Sequence, residues 1–366
     1  MPIRFAFSTL SYPELSLAKA VEKAGELGFD GIELRTLGSG ESPLRADPTR
    51  GDPADHARTL REAGIEPVCL STSHALHHAD EDAGARAVSQ VEYAMDLAAA
   101  LGCGRVRVMG HQAVAGEPLA ATMQRIARRA AQLLDRGGDA GLELLFENGG
   151  PLARARPWWD LANTLDHPLL GMLWNQLSAS AAGEGSVVWV PLLHTRLRVI
   201  RLRDAKKNAW ATPVPPGEGD GELEQTIRHL CGIGFDGWLS LDYNRMLDPS
   251  LPEADAFLRD GRDRIRAWLE DFAEAKANPA AWAKKKAAAL RAAAKAEGGG
   301  KAEKANKADK ADKAAAGSSR PARRPASDNA EDAEQAKPPR GRPAQQPAGE
   351  RPAAARSNPS QSKDEQ

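Results

Sequence analysis

Between Ile3 and about Ala275, short apolar runs alternate with longer stretches whose apolar positions recur every three or four residues. The first pair is Ile3 to Thr9, read as a strand, and Leu15 to Leu27, read as a helix that stops at Gly28. The pairing returns with Gly31 to Leu34 and Pro53 to Ala63, then with Glu66 to Leu70 and Glu81 to Leu101, then with Arg105 to Val108 and Leu119 to Arg136. Strands at Leu142 to Phe146, Gly171 to Trp174, Val199 to Leu202 and Gly237 to Leu241 interleave with helices near Trp158 to Leu165, Val187 to Arg196 and Leu223 to Cys231. A helix over Glu253 to Ala275 ends the series. Several helices close on a glycine, the residue that most cheaply takes the left-handed cap conformation. Eight strands alternating with eight helices over roughly 275 residues predict an α/β (β/α)8 TIM barrel. A doubly wound open sheet would want a phosphate-binding glycine loop after its first strand, and Ser8-Thr9-Leu10-Ser11-Tyr12 contains no glycine.

Successive side chains of a strand face opposite sides, so parity separates residues that face the helices from those that face the barrel axis. Ile32 and Leu34 share one face, which leaves Glu33 and Arg35 on the other. By the same rule Leu144 and Phe146 face out and Glu147 in; Met172 and Trp174 face out and Asn175 in. Ile200 and Leu202 face out with Arg201 in, and Leu239 and Leu241 face out with Asp242 in. Five strands therefore end on an inward polar or charged group, at the carboxyl face where barrel enzymes keep their active sites. The plainer reading of the same charges is a solvated or mutually paired rim.

Composition changes sharply near Lys276. Beyond it Ala, Lys, Pro, Glu, Gln and Ser dominate, and the only large apolar groups are Trp282 and Leu290. The overall charge of −1 conceals two opposite halves: residues 276–366 hold 20 Lys/Arg against 11 Asp/Glu, and the preceding residues 29 against 39. Residues 1–275 are thus expected to form the barrel, and residues 276–366 a disordered basic tail with a short helix over 280–296. Such a tail buries too little apolar surface to offset the entropy of ordering. Pro339-Arg-Gly-Arg-Pro343 resembles the core of an AT-hook, but it occurs once and lacks flanking basic residues at Gln345 and Gln346. Nucleic acid is expected as a partner only through this tail, as a weak polyanion tether. Cys69, Cys103 and Cys231 form no CxxC pair, which points to reduced thiols and a cytoplasmic protein. No apolar stretch approaches ~20 residues, so no membrane span is expected.

Four segments taken together carry a resemblance. Gly28-Phe-Asp-Gly-Ile-Glu-Leu-Arg35, Leu144-Leu-Phe-Glu-Asn148, and Pro216-Gly-Glu-Gly-Asp220 followed by Gly234-Phe-Asp-Gly-Trp-Leu-Ser-Leu-Asp242 resemble the second strand, fifth strand, seventh loop and eighth strand of the xylose isomerase-like barrels. That group is also called the sugar phosphate isomerase/epimerase family. The resemblance runs from about Ile3 to Phe272. It implies one divalent cation, often Mn²⁺ or Mg²⁺, held by Glu, Asp, His and Glu from strands five to eight, with carboxylates moving a proton between adjacent carbons. Only Glu147 matches that set outright. The Asp falls on Asn175, the His three residues beyond it on Ser178, the strand-seven His on Arg201, and the closing Glu on Asp242. Arginine offers no lone pair and cannot ligate a metal. The expectation is therefore a degenerate site, with Glu147, Asn175 and Asp242 as the residual metal donors and either no cofactor or a weakly held cation. Arg201 would take the charge role of the ion by pairing with Glu147 and Asp242.

Glu147, Asp242 and Arg201 are accordingly the candidate catalytic residues. Glu33, His74, Arg107, His111, Asn175 and Lys206 are the candidate ligand contacts. His74, His77 and His78 read equally as ligand contacts or as polar loop residues, and so does His111; Lys206 and Lys207 attract an anionic ligand or simply face solvent. Among Trp158, Trp159, Trp174 and Trp210, which could line a sugar site, Trp174 has the parity of a core residue. No P-loop, GxSxG elbow or HExxH motif occurs, and the metal-binding histidines of a related endonuclease branch are missing. Two functions stay open: a sugar isomerase or epimerase acting on a sugar, polyol or keto-acid, and a catalytically silent barrel that binds a ligand or partner. The family's habit of self-association makes a homo-oligomer an expectation.

Overall fold

The computed structural model describes residues 3–37, 43–289 and 291. Eight parallel strands close into a barrel in sequence order. They are β1 (Arg4–Ser8), β2 (Gly31–Arg35), β3 (Glu66–Ser71), β4 (Arg105–Val108), β5 (Glu143–Glu147), β6 (Leu170–Asn175), β7 (Leu197–Leu202) and β8 (Trp238–Leu241). The helices around them are α1 (Leu17–Glu26), α2 (Pro53–Ala63), α3 (Glu81–Ala100), α4 (Leu119–Ala140), α5 (Ala155–Leu165), α6 (Gln176–Ala181), α7 (Ser186–Leu193), α8 (Leu223–Gly232) and α9 (Ala254–Ala277). The predicted (β/α)8 order is the observed one. The helix stops at Gly28, Gly64 and Gly102 all have positive φ, as capping requires.

Two apolar layers divide along the parity lines. Ile32, Leu34, Leu144, Phe146, Met172, Trp174, Ile200, Leu202, Leu239 and Leu241 belong to the layer between strands and helices. Ala6, Val68, Cys69, Leu145, Leu173, Val199 and Trp238 fill the barrel interior. Val68 and Cys69 share that interior because the β2–β3 register shifts at Ile32/Glu33. Trp238 plugs the amino-terminal end, with the Arg4 guanidinium 4.0 Å from its ring centroid. Room for that indole comes from Gly31, where a Cβ would stand 2.7 Å from Trp238, from Val68 and from the Glu66 carbonyl.

Sequence periodicity missed α6. Its Gln-Leu-Ser-Ala-Ser-Ala run is only six residues long, and what starts it is the Asn175 side chain, which accepts the Ser178 N–H at 3.1 Å. Order also continues beyond residue 275. α9 runs to Ala277, and residues 279–289 are helical, with the Trp282 indole donating to Asp271 at 3.1 Å and Lys286 paired to Asp271 at 3.0 Å. The expected disordered tail beyond residue 291, with its AT-hook-like segment, lies outside the described residues, as does the far end of the 280–296 helix. Among the described residues no helix is long and apolar enough to cross a membrane, and all three cysteines are free.

Candidate functional site at the carboxyl end of the barrel

The inward residues above the apolar plug form a buried network of arginines and carboxylates. Glu33, in the middle of β2, is fully buried and accepts hydrogen bonds from Ser71 at 2.6 Å and Ser240 at 2.9 Å. Arg201 reaches it from across the barrel: one terminal nitrogen donates to Glu33 Oε1, and the other donates to Glu147 Oε1 at 2.9 Å. Glu147 also accepts from Asn175 Nδ2 at 2.9 Å, and its second oxygen lies 3.3 Å from Arg107 Nε. Asn148 and Asn175 lock the neighbouring strand ends together, Asn148 Oδ1 accepting from Asn175 N at 2.7 Å and Asn148 Nδ2 donating to Asn175 O at 3.0 Å.

Asp242 stands apart from this clasp. Its ion-pair partner is Arg203, at a loose 3.7 Å, rather than Arg201. The expected Arg201–Asp242 pair is therefore replaced by Arg201–Glu33. The reason is geometric: Arg201 pairs in register with Ser240, two residues short of Asp242, so its guanidinium crosses the barrel to β2 instead of running along β8.

These placements set the protonation states. Burial works to raise the Glu33 and Glu147 carboxyls, but the Arg201 and Arg107 charges outweigh it and hold both below the usual carboxylate range. For Asp242 burial wins over Arg201 and Arg203, and its carboxyl sits above the ordinary value. Burial opposes the charge on Arg201, yet Glu147, Glu33 and Asp242 together hold its proton more tightly than in water. Arg35 is different. Its Nη1 donates to the carbonyls of Thr36 and Ser71 at 2.7 and 2.8 Å and its Nη2 to Ser73 Oγ at 2.6 Å, all neutral acceptors. Burial and the Arg107 and Arg201 charges bring its pKa down to about 9, so it remains charged at neutral pH.

The other candidates lie at varying distance from this network. Arg107 belongs to it, bonded to the Thr72 carbonyl at 2.7 Å as well as paired with Glu147. His74 is half-buried on the β3–α3 loop, and burial followed by the Arg35 charge lowers its pKa. His111 is 1% exposed, packed edge-on against outward-facing Phe146, with Nδ1 against the Met109 carbonyl at 2.8 Å. That places it in the wall between strands and helices. Lys206 is exposed on the β7–α8 loop with no ion pair among the described residues. Trp158 and Trp174 are core residues. Residue parity could not reveal Ser71 and Ser240, which solvate Glu33, because a serine on a strand carries no sign of its partner.

Asp204 also escaped notice. Its buried carboxylate gathers the N–H groups of Gly217, Gly219 and Gly221 at 2.8, 3.0 and 3.0 Å, and so folds the glycine-rich β7–α8 loop over the end of β7. The signal was present: an Asp two residues past the strand, followed by Gly217-Glu-Gly-Asp-Gly221, supplies one acceptor and several unencumbered amides.

Residues 21–268 match the family described as xylose isomerase-like TIM barrel. The chain belongs to that family. It is 21% identical over 274 residues to fructoselysine 3-epimerase of Escherichia coli O157:H7, covering 72% of this chain and 97% of that protein. Among solved structures it is similar to an L-ribulose 3-epimerase at 16% identity and a TM-score of 0.66, covering 76% of this chain and 98% of the other. It is also similar, at 19% identity and a TM-score of 0.62, to a xylose isomerase-like TIM barrel/4-hydroxyphenylpyruvate dioxygenase fusion protein, where 74% of this chain spans 44% of the longer one. These likenesses show sugar epimerase- and isomerase-like relatives at low identity.

The family resemblance implies a divalent cation at the centre of this network, and the donors present do not fit one. The Arg201 guanidinium donates to both Glu33 and Glu147. Asn175 turns its Nδ2 toward Glu147 and spends its Oδ1 on the Ser178 amide. Asp242 is the remaining carboxylate of the network, and one carboxylate is a poor cage for Mg²⁺ or Mn²⁺. Among the described residues no group of three or more His, Cys, Asp or Glu could share an ion.

Proposed function

We propose that this protein is a metal-independent member of its family that binds a small sugar, polyol or keto-acid at the barrel mouth and moves a proton between adjacent carbons through Asp242. One observation carries the reading: a permanent guanidinium, Arg201, bridges Glu33 and Glu147 in the middle of the network. A fixed cation there can stabilise the oxyanion of an enediolate, the charge role that a dication serves in metal-dependent barrels. Asp242 suits the proton. It is the carboxyl in the network held above its ordinary pKa, it is 9% exposed, and its only ion pair among the described residues is long. Glu147 suits it poorly, since Arg201, Arg107 and Asn175 all stabilise its charged form. One effective base favours a 1,2 proton shift on one face of an enediolate over a two-base epimerisation.

The immobilised Glu147 equally motivates a second reading, a silent barrel that binds a sugar-like ligand without turning it over. Incubation with ketoses in D₂O, with EDTA or with Mn²⁺, separates these readings by NMR. Deuterium incorporation under EDTA that disappears in Asp242→Asn supports proton transfer without metal. Ketose resonance broadening without incorporation supports the silent reading. Incorporation that requires Mn²⁺ overturns the role given to Arg201.

A further inference from the structure

A second cleft, about 370 Å³ in volume, opens beside the mouth between the β3–α3 loop, α3 and the β4–α4 loop. Its polar wall includes Ser73, His74, His77, His78 and Arg86 beside two glutamines, Gln90 and Gln112, and no Asp or Glu lines it. In a barrel whose first 275 residues carry a net negative charge, an acid-free cleft this size is a local reversal. Its surroundings strengthen the reversal. Arg35 donates to Ser73 Oγ at 2.6 Å, which occupies an oxygen lone pair and leaves the serine hydrogen free to point into the cleft. None of the other acceptors of Arg35 is charged. Arg86, exposed on α3, makes no ion pair among the described residues. Two arginines of α4 stiffen the loop from behind, Arg125 donating to the His77 carbonyl at 3.1 Å and Arg129 to those of Leu76 and His78 at 2.8 and 2.7 Å.

The histidine rings are available as hydrogen-bond partners. His77 stacks on His78 at 4.6 Å between centroids, and no side-chain hydrogen bond engages His74, His77 or His78 among the described residues. Burial lowers the His77 pKa, and the neighbouring His78, Arg125 and Arg129 side chains lower it further.

We propose that this cleft is an anion-binding site, separate from the chemistry at the barrel mouth, that takes the carboxylate or phosphate monoester of a small ligand on Ser73, Arg86 and the His74/His77/His78 imidazoles. An oxyanion there accepts from the Ser73 hydroxyl and the Arg86 guanidinium and neutralises the charge that Arg35 presents behind Ser73. A charge-assisted bond of this kind, in a site partly shielded from water, changes affinity roughly tenfold or more.

The test is a titration of the full-length protein, ¹⁵N-labelled at histidine, with inorganic phosphate, with gluconate and with uncharged glucitol at constant ionic strength. Phosphate or gluconate should shift the imidazole signals of the loop histidines saturably, and glucitol should not. A response to phosphate alone assigns a phosphate monoester, and a response to gluconate alone a carboxylic acid. The double variant Ser73→Ala/Arg86→Met takes from Arg35 one of its three acceptors, so it should melt below the parent yet stay folded and bind at least about tenfold more weakly. Arg86→Met alone changes an exposed side chain without an ion pair among the described residues and should keep the parent's melting temperature while weakening anion binding in the same direction. The proposal is overturned if neither anion shifts these signals, if glucitol does so equally, or if the folded double variant binds as tightly as the parent.

Discussion

Arg201 decides what the centre of this barrel is. Its guanidinium is nearly enclosed and faces two carboxylates, so removing it strands two negative charges where water cannot reach them. Arg201→Met is expected to destabilise the protein by about 3–5 kcal/mol, far more than loss of an exposed ion pair, in urea unfolding at neutral pH. Replacing Glu33 by Gln in the same chain should recover part of that loss, because one stranded charge is then removed; additive losses would show that the two residues are not coupled.

His111 gives a prediction in pH. Burial pushes it down to about 4, whereas an unfolded histidine titrates near 6.5. Between those values the unfolded chain binds a proton that the folded chain refuses, so stability falls as pH drops through this window. The loss from this residue approaches ~3 kcal/mol at the acid end. His111→Phe should flatten the dependence of the urea midpoint on pH between 6.5 and 4 relative to the parent, and equal slopes would contradict the assignment.

At the scale of elements, parity read from sequence placed Glu33, Glu147, Asn175, Arg201 and Asp242 on the inner face, because period-two alternation survives any detail of packing. What parity lacks is reach. Glu33 and Arg201 are 168 residues apart, and nothing along β7 says that its arginine spans the barrel to β2 instead of joining Asp242 on β8. The Asp204 loop follows the same rule. Its three glycine amides are legible as donors, but the acceptor is identified only once β7 ends beneath them. Asp204→Ala should leave the barrel folded while exposing residues 205–221 to limited proteolysis, since three amides lose one charged acceptor; unchanged cleavage would mean the loop is ordered by other contacts.

At the scale of the molecule, order does not stop where composition changes. Residues 279–289 are helical, and they return contacts to α9 through Trp282, Lys285 and Lys286. Ending the chain after residue 293 should therefore keep the melting temperature that these contacts support. Ending it after 275 should lower it by a degree or more, since the Trp282 bond and its ion pairs to α9 are lost; identical melting of the two would show those contacts to be without weight.

The amino-acid order alone determined the strand and helix alternation and the inward and outward faces, with Asn175 and Arg201 on the inner side of neighbouring strands. Those features follow from local periodicity and from the fixed chemistry of each side chain, which do not depend on neighbours. Only the closed barrel decided which charges meet, leaving Arg35 with neutral acceptors, joining Arg201 to Glu33 and turning His111 into a wall residue. Coulomb energy and desolvation depend on distances across the fold, and those distances exist only after eight strands have closed in register.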